Sequence, residues 1–251
     1  METHSHPLLQ HTIFINLDHR VDRRECTEKE LAKIHIREPE RFAAISNDIS
    51  GAIGCSMSHI ACLEKAIQRN YPWVFICEDD IHFTDPDVLL QSLDLFYKNF
   101  VLHPQRKWSV LLIAANNAGP VCFYPHCCIP QKKNQPFVVQ IQRCFAAAGY
   151  IVHQSYYKEL LDNMREGVSL LLREYAQNKM APPSVGLNLH ALDVYWMKLQ
   201  RKDTWYLLVP LTVSQYAGQS DICKESVDYD SLMLELKTVP QRVSIPRMQF
   251  L

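Results

Sequence analysis

Hydrophobic and polar positions divide the chain into short apolar runs separated by longer amphipathic stretches. Residues 12–17 are apolar and β-branched and predict a buried strand. A charged stretch over 18–30 continues into Leu31, Ile34 and Ile36 and predicts a helix. Residues 41–46 predict a second short strand. Over 54–69, Met57, Ile60, Ala61 and Ile67 recur at helical spacing. Tyr71-Pro72 closes that helix, because proline cannot continue it. Residues 73–77 predict another buried strand. Asp85-Pro86 has the form of a helix start, with aspartate as cap and proline in the first turn, and the helix reaches about Phe100. Further strands are predicted over 110–113 and 137–141, a small apolar segment over 146–152, helices over 156–175 and 189–199, and a final strand over 205–209. Residues 116–136 predict a long irregular segment. After Asp221 the pattern fades, which predicts a C-terminal segment, 223–251, wrapped over the surface. Strands alternating with helices predict an α/β fold with a mostly parallel central sheet flanked by helices.

Composition narrows the function. The 251 residues suit one large domain or two small ones, and 47% hydrophobic with 21% charged residues exclude the disordered and fibrous classes. Seven glycines are few, and neither G-x-G-x-x-G nor G-x-x-x-x-G-K-[ST] occurs. Any bound phosphate must therefore be held without a glycine-rich loop. A net charge of -1 argues against nucleic acid as a partner, since that binding needs a basic surface. No apolar run approaches a membrane span, and residues 1–10 read as a tail without the pattern of a signal peptide. Nine cysteines are an odd number, and Cys62 and Cys77 lie inside apolar runs, as free thiols of a reducing compartment do. These features predict a cytoplasmic protein, soluble or in peripheral membrane contact.

The sharpest chemical feature is Glu78-Asp79-Asp80, directly after the strand at 73–77. Open α/β sheets bind ligands outside the carboxyl ends of their strands. Three adjacent carboxylates repel one another unless a cation offsets them. In extended backbone Glu78 and Asp80 point to the same side, a pair of hard oxygen ligands suited to Mg²⁺ or Mn²⁺. The residues alone leave open a solvated acidic turn. Cys122, His126, Cys127 and Cys128 fit no zinc-finger spacing and read as part of a loop.

Four blocks, in order, resemble glycosyltransferase family 25, the lipooligosaccharide and collagen galactosyltransferase family. They are Ile15-Asn-Leu-Asp18 with Arg20, Arg23 and Arg24; Gly51-Ala-Ile-Gly-Cys-Ser-Met-Ser-His59; Val74-Phe-Ile-Cys-Glu-Asp-Asp80; and Pro210 through Gln215 to Ser220-Asp-Ile222. Ala148-Gly-Tyr150 and Leu192-Asp193 match weaker family positions. The resemblance covers about residues 11–222. It implies a GT-A fold, a single Rossmann-like domain over 11–222, and a divalent metal, Mn²⁺ or Mg²⁺, at the acidic motif. It also implies inverting transfer of a hexose, most often galactose from a UDP-sugar donor, to a saccharide or hydroxylysine acceptor.

On that resemblance, Asp80 is the expected direct metal ligand. Glu78 is expected as a second ligand, and Glu78 and Asp79 as contacts to metal-bound water, ribose or donor sugar. Asn16, Leu17 and Arg20 stand where the uridine is expected. Ser58 and His59 follow Gly54 at an expected helix N-terminus, where backbone amides favour anions. Gln215 and Ser220 belong to the closing block over the donor. Asp193 is the expected general base, an acid beside an apolar helical pattern, with Asp221 in reserve. Two other readings remain open: a catalytically silent relative that binds nucleotide sugar or glycan, and a nucleotidyltransferase.

Overall fold

The computed structural model describes residues 5–116, 121–124, 136–177, 188–216, 218–219, 226–227 and 229–236. In chain order the elements are β1 (Thr12–Asn16), α1 (Val21–Lys33), β2 (Glu40–Ala43), α2 (Gly51–Gln68), β3 (Trp73–Glu78), β4 (Ile81–Phe83), α3 (Pro86–Phe96), β5 (Val110–Leu112), β6 (Cys122–Phe123), β7 (Phe137–Arg143), β8 (Gly149–His153), α4 (Tyr157–Ala176), α5 (Leu192–Tyr195), α6 (Met197–Gln200), β9 (Trp205–Val209), β10 (Val213–Gln215), β11 (Gly218–Gln219), β12 (Ser226–Val227) and α7 (Asp230–Met233). An eight-stranded sheet has the order β2-β1-β3-β8-β5-β9-β7-β6. β1 is parallel to β2 and β3, and β5 to β9. β8 is antiparallel to β3 and β5, and β7 to β9 and β6. Six of these eight strands therefore run in one direction, a mostly parallel arrangement with β8 and β7 reversed.

Side chains alternate across each strand, and two cores result. Ile13, Ile15, Ile76, Leu112 and Tyr150 face Leu63 and Ala66 of α2 and Leu160 and Met164 of α4. Phe14, Phe75, Leu111 and Ile151 face Leu31 of α1 and Leu93 and Phe96 of α3. The sheet is covered on both faces, which is why its strands read as continuous apolar runs rather than alternating ones. At α3, Asp85 Oδ1 accepts from the Val88 amide at 3.1 Å and caps the helix that the sequence predicts.

Some elements differ from expectation. The helix predicted from Gly54 begins at Gly51, capped by Ser50. The helix predicted over 189–199 is two single turns, α5 and α6, separated at Trp196. β4 and β10 have three residues each, too short for a pattern, yet they pair antiparallel with Gln215 opposite Ile81. In the segment beyond 222, α7 packs on β10 and Met233 is fully buried.

Gly54 shows how closely α2 approaches the chain after β2. A Cβ there would stand 2.4 Å from the Ile45 carbonyl oxygen, a backbone atom with little room to yield. Gly54→Ala is expected to destabilise by about 1–3 kcal/mol despite the better helix propensity of alanine. Thermal unfolding checks this; an unchanged or higher midpoint would show that α2 is free to move away.

Candidate active site

The site lies where β1 and β3 end. Parallel pairing sets Ile15 opposite Glu78, so the segments that follow both strands emerge side by side. Asn16 is the hub. Its Nδ2 donates to Asp79 Oδ2 at 2.7 Å and to the Arg20 carbonyl at 3.0 Å, and its Oδ1 accepts from Arg41 Nε at 2.9 Å. Arg23 of α1 reaches Asp79 Oδ1 at 3.0 Å and Asp80 Oδ2 at 3.4 Å. Thr27 Oγ1 donates to the Asp79 carbonyl at 2.8 Å, which fixes the turn of the acidic motif on α1.

From the other side, β10 brings Gln215 over the motif. Its Nε2 donates to Glu78 Oε2 at 3.1 Å and Asp80 Oδ1 at 2.8 Å, and the Tyr216 amide donates to the Asp80 carbonyl at 2.7 Å. Tyr216 is anchored in turn. Its hydroxyl donates to Glu30 Oε1, and the other Glu30 oxygen accepts from the Phe83 amide at 2.9 Å. One carboxylate on α1 thus ties β4 and the residue after β10 together.

α2 supplies Cys55 and His59. Cys55 Sγ lies 3.5 Å from Glu78 Oε1, and so does His59 Nε2. His59 Nδ1 pairs with the Tyr150 hydroxyl at 2.7 Å. These three ligand atoms, of Cys55, His59 and Glu78, could hold a metal ion.

The electrostatics follow from burial. Burial pushes Asp80 up to about 7, the neighbouring charge of Glu78 adds to it, and the Gln215 bond and Arg23 oppose it. Burial also raises Asp79 against the pull of Asn16 and Arg23. Glu78 goes the other way: burial raises it, but His59, Cys55 and Arg23 more than offset that and hold it low. Asp193 of α5 is pushed up to about 6, by burial first and by the charge of Glu78 second, while the Ala146 amide and His59 oppose. Ala146 has a φ of 128°, strained for a residue with a Cβ. The acidic motif has carboxylates that cannot all ionise at low cost, and that deficit suits a cation.

Among the residues singled out from the sequence, Asn16, Glu78, Asp79, Asp80 and Gln215 form one hydrogen-bonded group, with His59 and Asp193 within charge reach. Leu17 and Arg20 adjoin it at the end of β1, with the Arg20 guanidinium paired to Asp22. Ser58 lies in the interior of α2, where its Oγ donates to the Gly54 carbonyl and accepts from the Ile45 amide, both at 2.8 Å. His59 is likewise well inside α2, so the helix N-terminal amides belong to 51–54 and not to these two residues. Ser220, Asp221, His126, Cys127 and Cys128 lie outside the described residues. His82 contacts Glu30 rather than the acidic motif, at 3.2 Å. Sequence reasoning missed Cys55 and Arg41. Cys55 had a signal, its spacing of four from His59; Arg41 had none.

The class is that of an α/β protein whose acidic motif lies at the carboxyl ends of its parallel strands β1 and β3. The model of "Glycosyltransferase family 25 (LPS biosynthesis protein)" matches residues 49–171. Over that stretch, which holds α2, β3, the acidic motif and β8, the chain matches glycosyltransferase family 25, and the match supports a glycosyltransferase. No curated protein matches the chain by sequence. Among solved structures it is similar to A197 from STIV, at 10% identity and a TM-score of 0.43, covering 94% of this chain and 100% of that one. It is similar to mannose-1-phosphate geranyltransferase from Thermus thermophilus, at 9% identity and a TM-score of 0.40, covering 82% and 73%. It is also similar to a glycosyltransferase involved in the glycosylation of the major capsid of PBCV-1, at 8% identity and a TM-score of 0.36, covering 79% and 91%. Among the described residues no helix is long and apolar enough to cross a membrane.

Proposed function

We propose that the chain transfers a hexose, galactose from UDP-galactose, to a saccharide or hydroxylysine hydroxyl with inversion at the anomeric carbon. The observation that carries this is the convergence of Glu78 and Asp80 on one Gln215 amide, in a part-buried site that holds Asp80 against ionisation. Such a pair fits Mn²⁺ or Mg²⁺ held by Asp80 and Glu78. When bound, that cation supplies charge neutralisation for the departing diphosphate.

The chain's own residues do the rest. Asn16, Leu17 and Arg20 border the place for the uridine, and Asp79, fixed by Asn16 and Arg23, the place for ribose or donor sugar. Gln215 orients both acids of the motif, and Ser220 belongs to the segment that closes over the donor. Asp193 takes the proton of the acceptor hydroxyl as its oxygen attacks the anomeric carbon; Asp221 is the reserve. Burial and the nearby charge of Glu78 keep the Asp193 carboxyl a better base than an exposed aspartate.

A screen of UDP- and GDP-sugars for Mn²⁺-dependent thermal stabilisation and slow hydrolysis tests the reading. UDP-galactose is expected to stabilise and to be hydrolysed with release of UDP, and Asp80→Ala to do neither. Stabilisation without hydrolysis at any metal concentration favours a silent binding relative. Release of pyrophosphate from UTP and a sugar phosphate would make it a nucleotidyltransferase.

A further inference from the structure

Cys55 and His59 stand four positions apart on α2, so their side chains share one face of the helix. That face looks onto the end of β3. Cys55 Sγ and His59 Nε2 each lie 3.5 Å from Glu78 Oε1, and all three ligand atoms fall within 4.8 Å of one another. Around a tetrahedral zinc ion with bonds of about 2.0–2.3 Å, ligand atoms stand roughly 3.3–3.6 Å apart. Two of the three separations already have that value.

The imidazole supplies a second, independent observation. His59 is fully buried, and its Nδ1 is taken by the Tyr150 hydroxyl. Its Nε2, aimed at the cluster, makes no hydrogen bond among the described residues and stands 3.5 Å from Glu78 Oε1. A buried polar nitrogen without a hydrogen bond is costly. A hydrogen bond on the far ring nitrogen is also how metal-ligating histidines are oriented. Glu78 divides its oxygens: Oε1 faces Cys55 and His59, and Oε2 faces Gln215, which also holds Asp80.

We propose that Cys55, His59 and Glu78 form a binding site for a borderline divalent cation of the zinc class. The site differs in donor chemistry from the all-oxygen pair of Asp80 and Glu78, and shares one carboxylate with it. As the metal–sulfur bond forms, the thiol proton of Cys55 leaves to solvent, so uptake releases one proton. Three protein ligands leave a fourth position open. Because Glu78 is shared, zinc uptake weakens the hold on the hard cation. The inference rests on the placement of these side chains, independently of the transfer reaction.

Co²⁺ titrated into the reduced full-length protein is the probe, read by absorption. A sulfur-to-cobalt charge-transfer band in the near ultraviolet is expected, saturating at one equivalent and removed by Zn²⁺. Cys55→Ser and His59→Gln are expected to lose it, and Asp80→Asn to keep it. No band in the wild-type protein overturns the proposal without recourse to any variant. A band that survives in Cys55→Ser assigns the metal to other cysteines and overturns it too. Loss of the band in Asp80→Asn overturns the separation of the two sites. Absence of sugar transfer leaves all three readouts unaffected.

Discussion

Asp193→Asn is expected to lower the rate of sugar transfer by a factor of about 10²–10⁴, the usual worth of a positioned general base, with donor binding retained. The substitution keeps the shape and removes the basic oxygen. The Asp193 carboxyl lies within charge reach of Glu78 on β3 and of His59 and Cys55 on α2, and accepts from the Ala146 amide before β8. Burial and the Glu78 charge push it up to about 6. A base works when ionised, so kcat/KM in the wild-type protein should climb as pH rises through about 6 and level off above it. In the variant that limb should vanish along with the rate. Near-normal turnover in Asp193→Asn would sink the assignment and move attention to Asp221.

Asp80→Asn is expected to act in opposite directions without and with metal. A carboxyl whose folded pKa is about 7, against an ordinary 3.8, binds its proton more tightly in the native state. The folded protein then loses stability as pH rises across that window, and the loss stays in place above it. Removing the charge should therefore stabilise the metal-free protein at about pH 8 by a few kcal/mol, a rise in midpoint on the order of 5–10 °C, and by much less near pH 4. Gln215 keeps an acceptor, because the asparagine Oδ1 replaces the carboxylate oxygen. With Mn²⁺ the order reverses: a cation at about a hundred times its Kd stabilises wild type by about 2.7 kcal/mol, and the variant should gain almost nothing. If the variant is no more stable at that alkaline pH and binds Mn²⁺ as wild type does, Asp80 is not the ligand.

Much of this site is legible in the sequence because it sits where strands end. The apolar runs that become β1 and β3 are unbroken, and Asn16 and Glu78 stand at their last positions. The acids stand out because three adjacent carboxylates directly follow a buried strand. What the sequence hides is pairing between distant segments. Nothing about Gln215 alone shows that its amide spans Glu78 and Asp80, since β10 is three residues long and acquires its place only from β4. Arg23 and Arg20 look alike in the sequence, yet Arg23, in the first turn of α1, reaches Asp79, while Arg20, the cap residue before α1, pairs with Asp22. Cys55 reads as a small buried residue until α2 is laid against β3. The Leu189–Leu199 pattern misleads in another way: its apolar spacing is real, but the chain turns at Trp196, and the two short turns serve to place Asp193.

The reversed course of β8 sets the order in which the molecule comes together. A strand running backward offers its first residues where its neighbours offer their last, so Gly149 pairs with Cys77 and Tyr150 meets His59. The contacts that build the site span 63 positions from Asn16 to Asp79, 91 from His59 to Tyr150 and 137 from Glu78 to Gln215. Chains ruled by such distant pairings fold slowly, since loop closure must be met before the contacts reward it. During synthesis the acidic motif leaves the ribosome long before its clamp. Until Gln215 follows, no amide bridges Glu78 and Asp80.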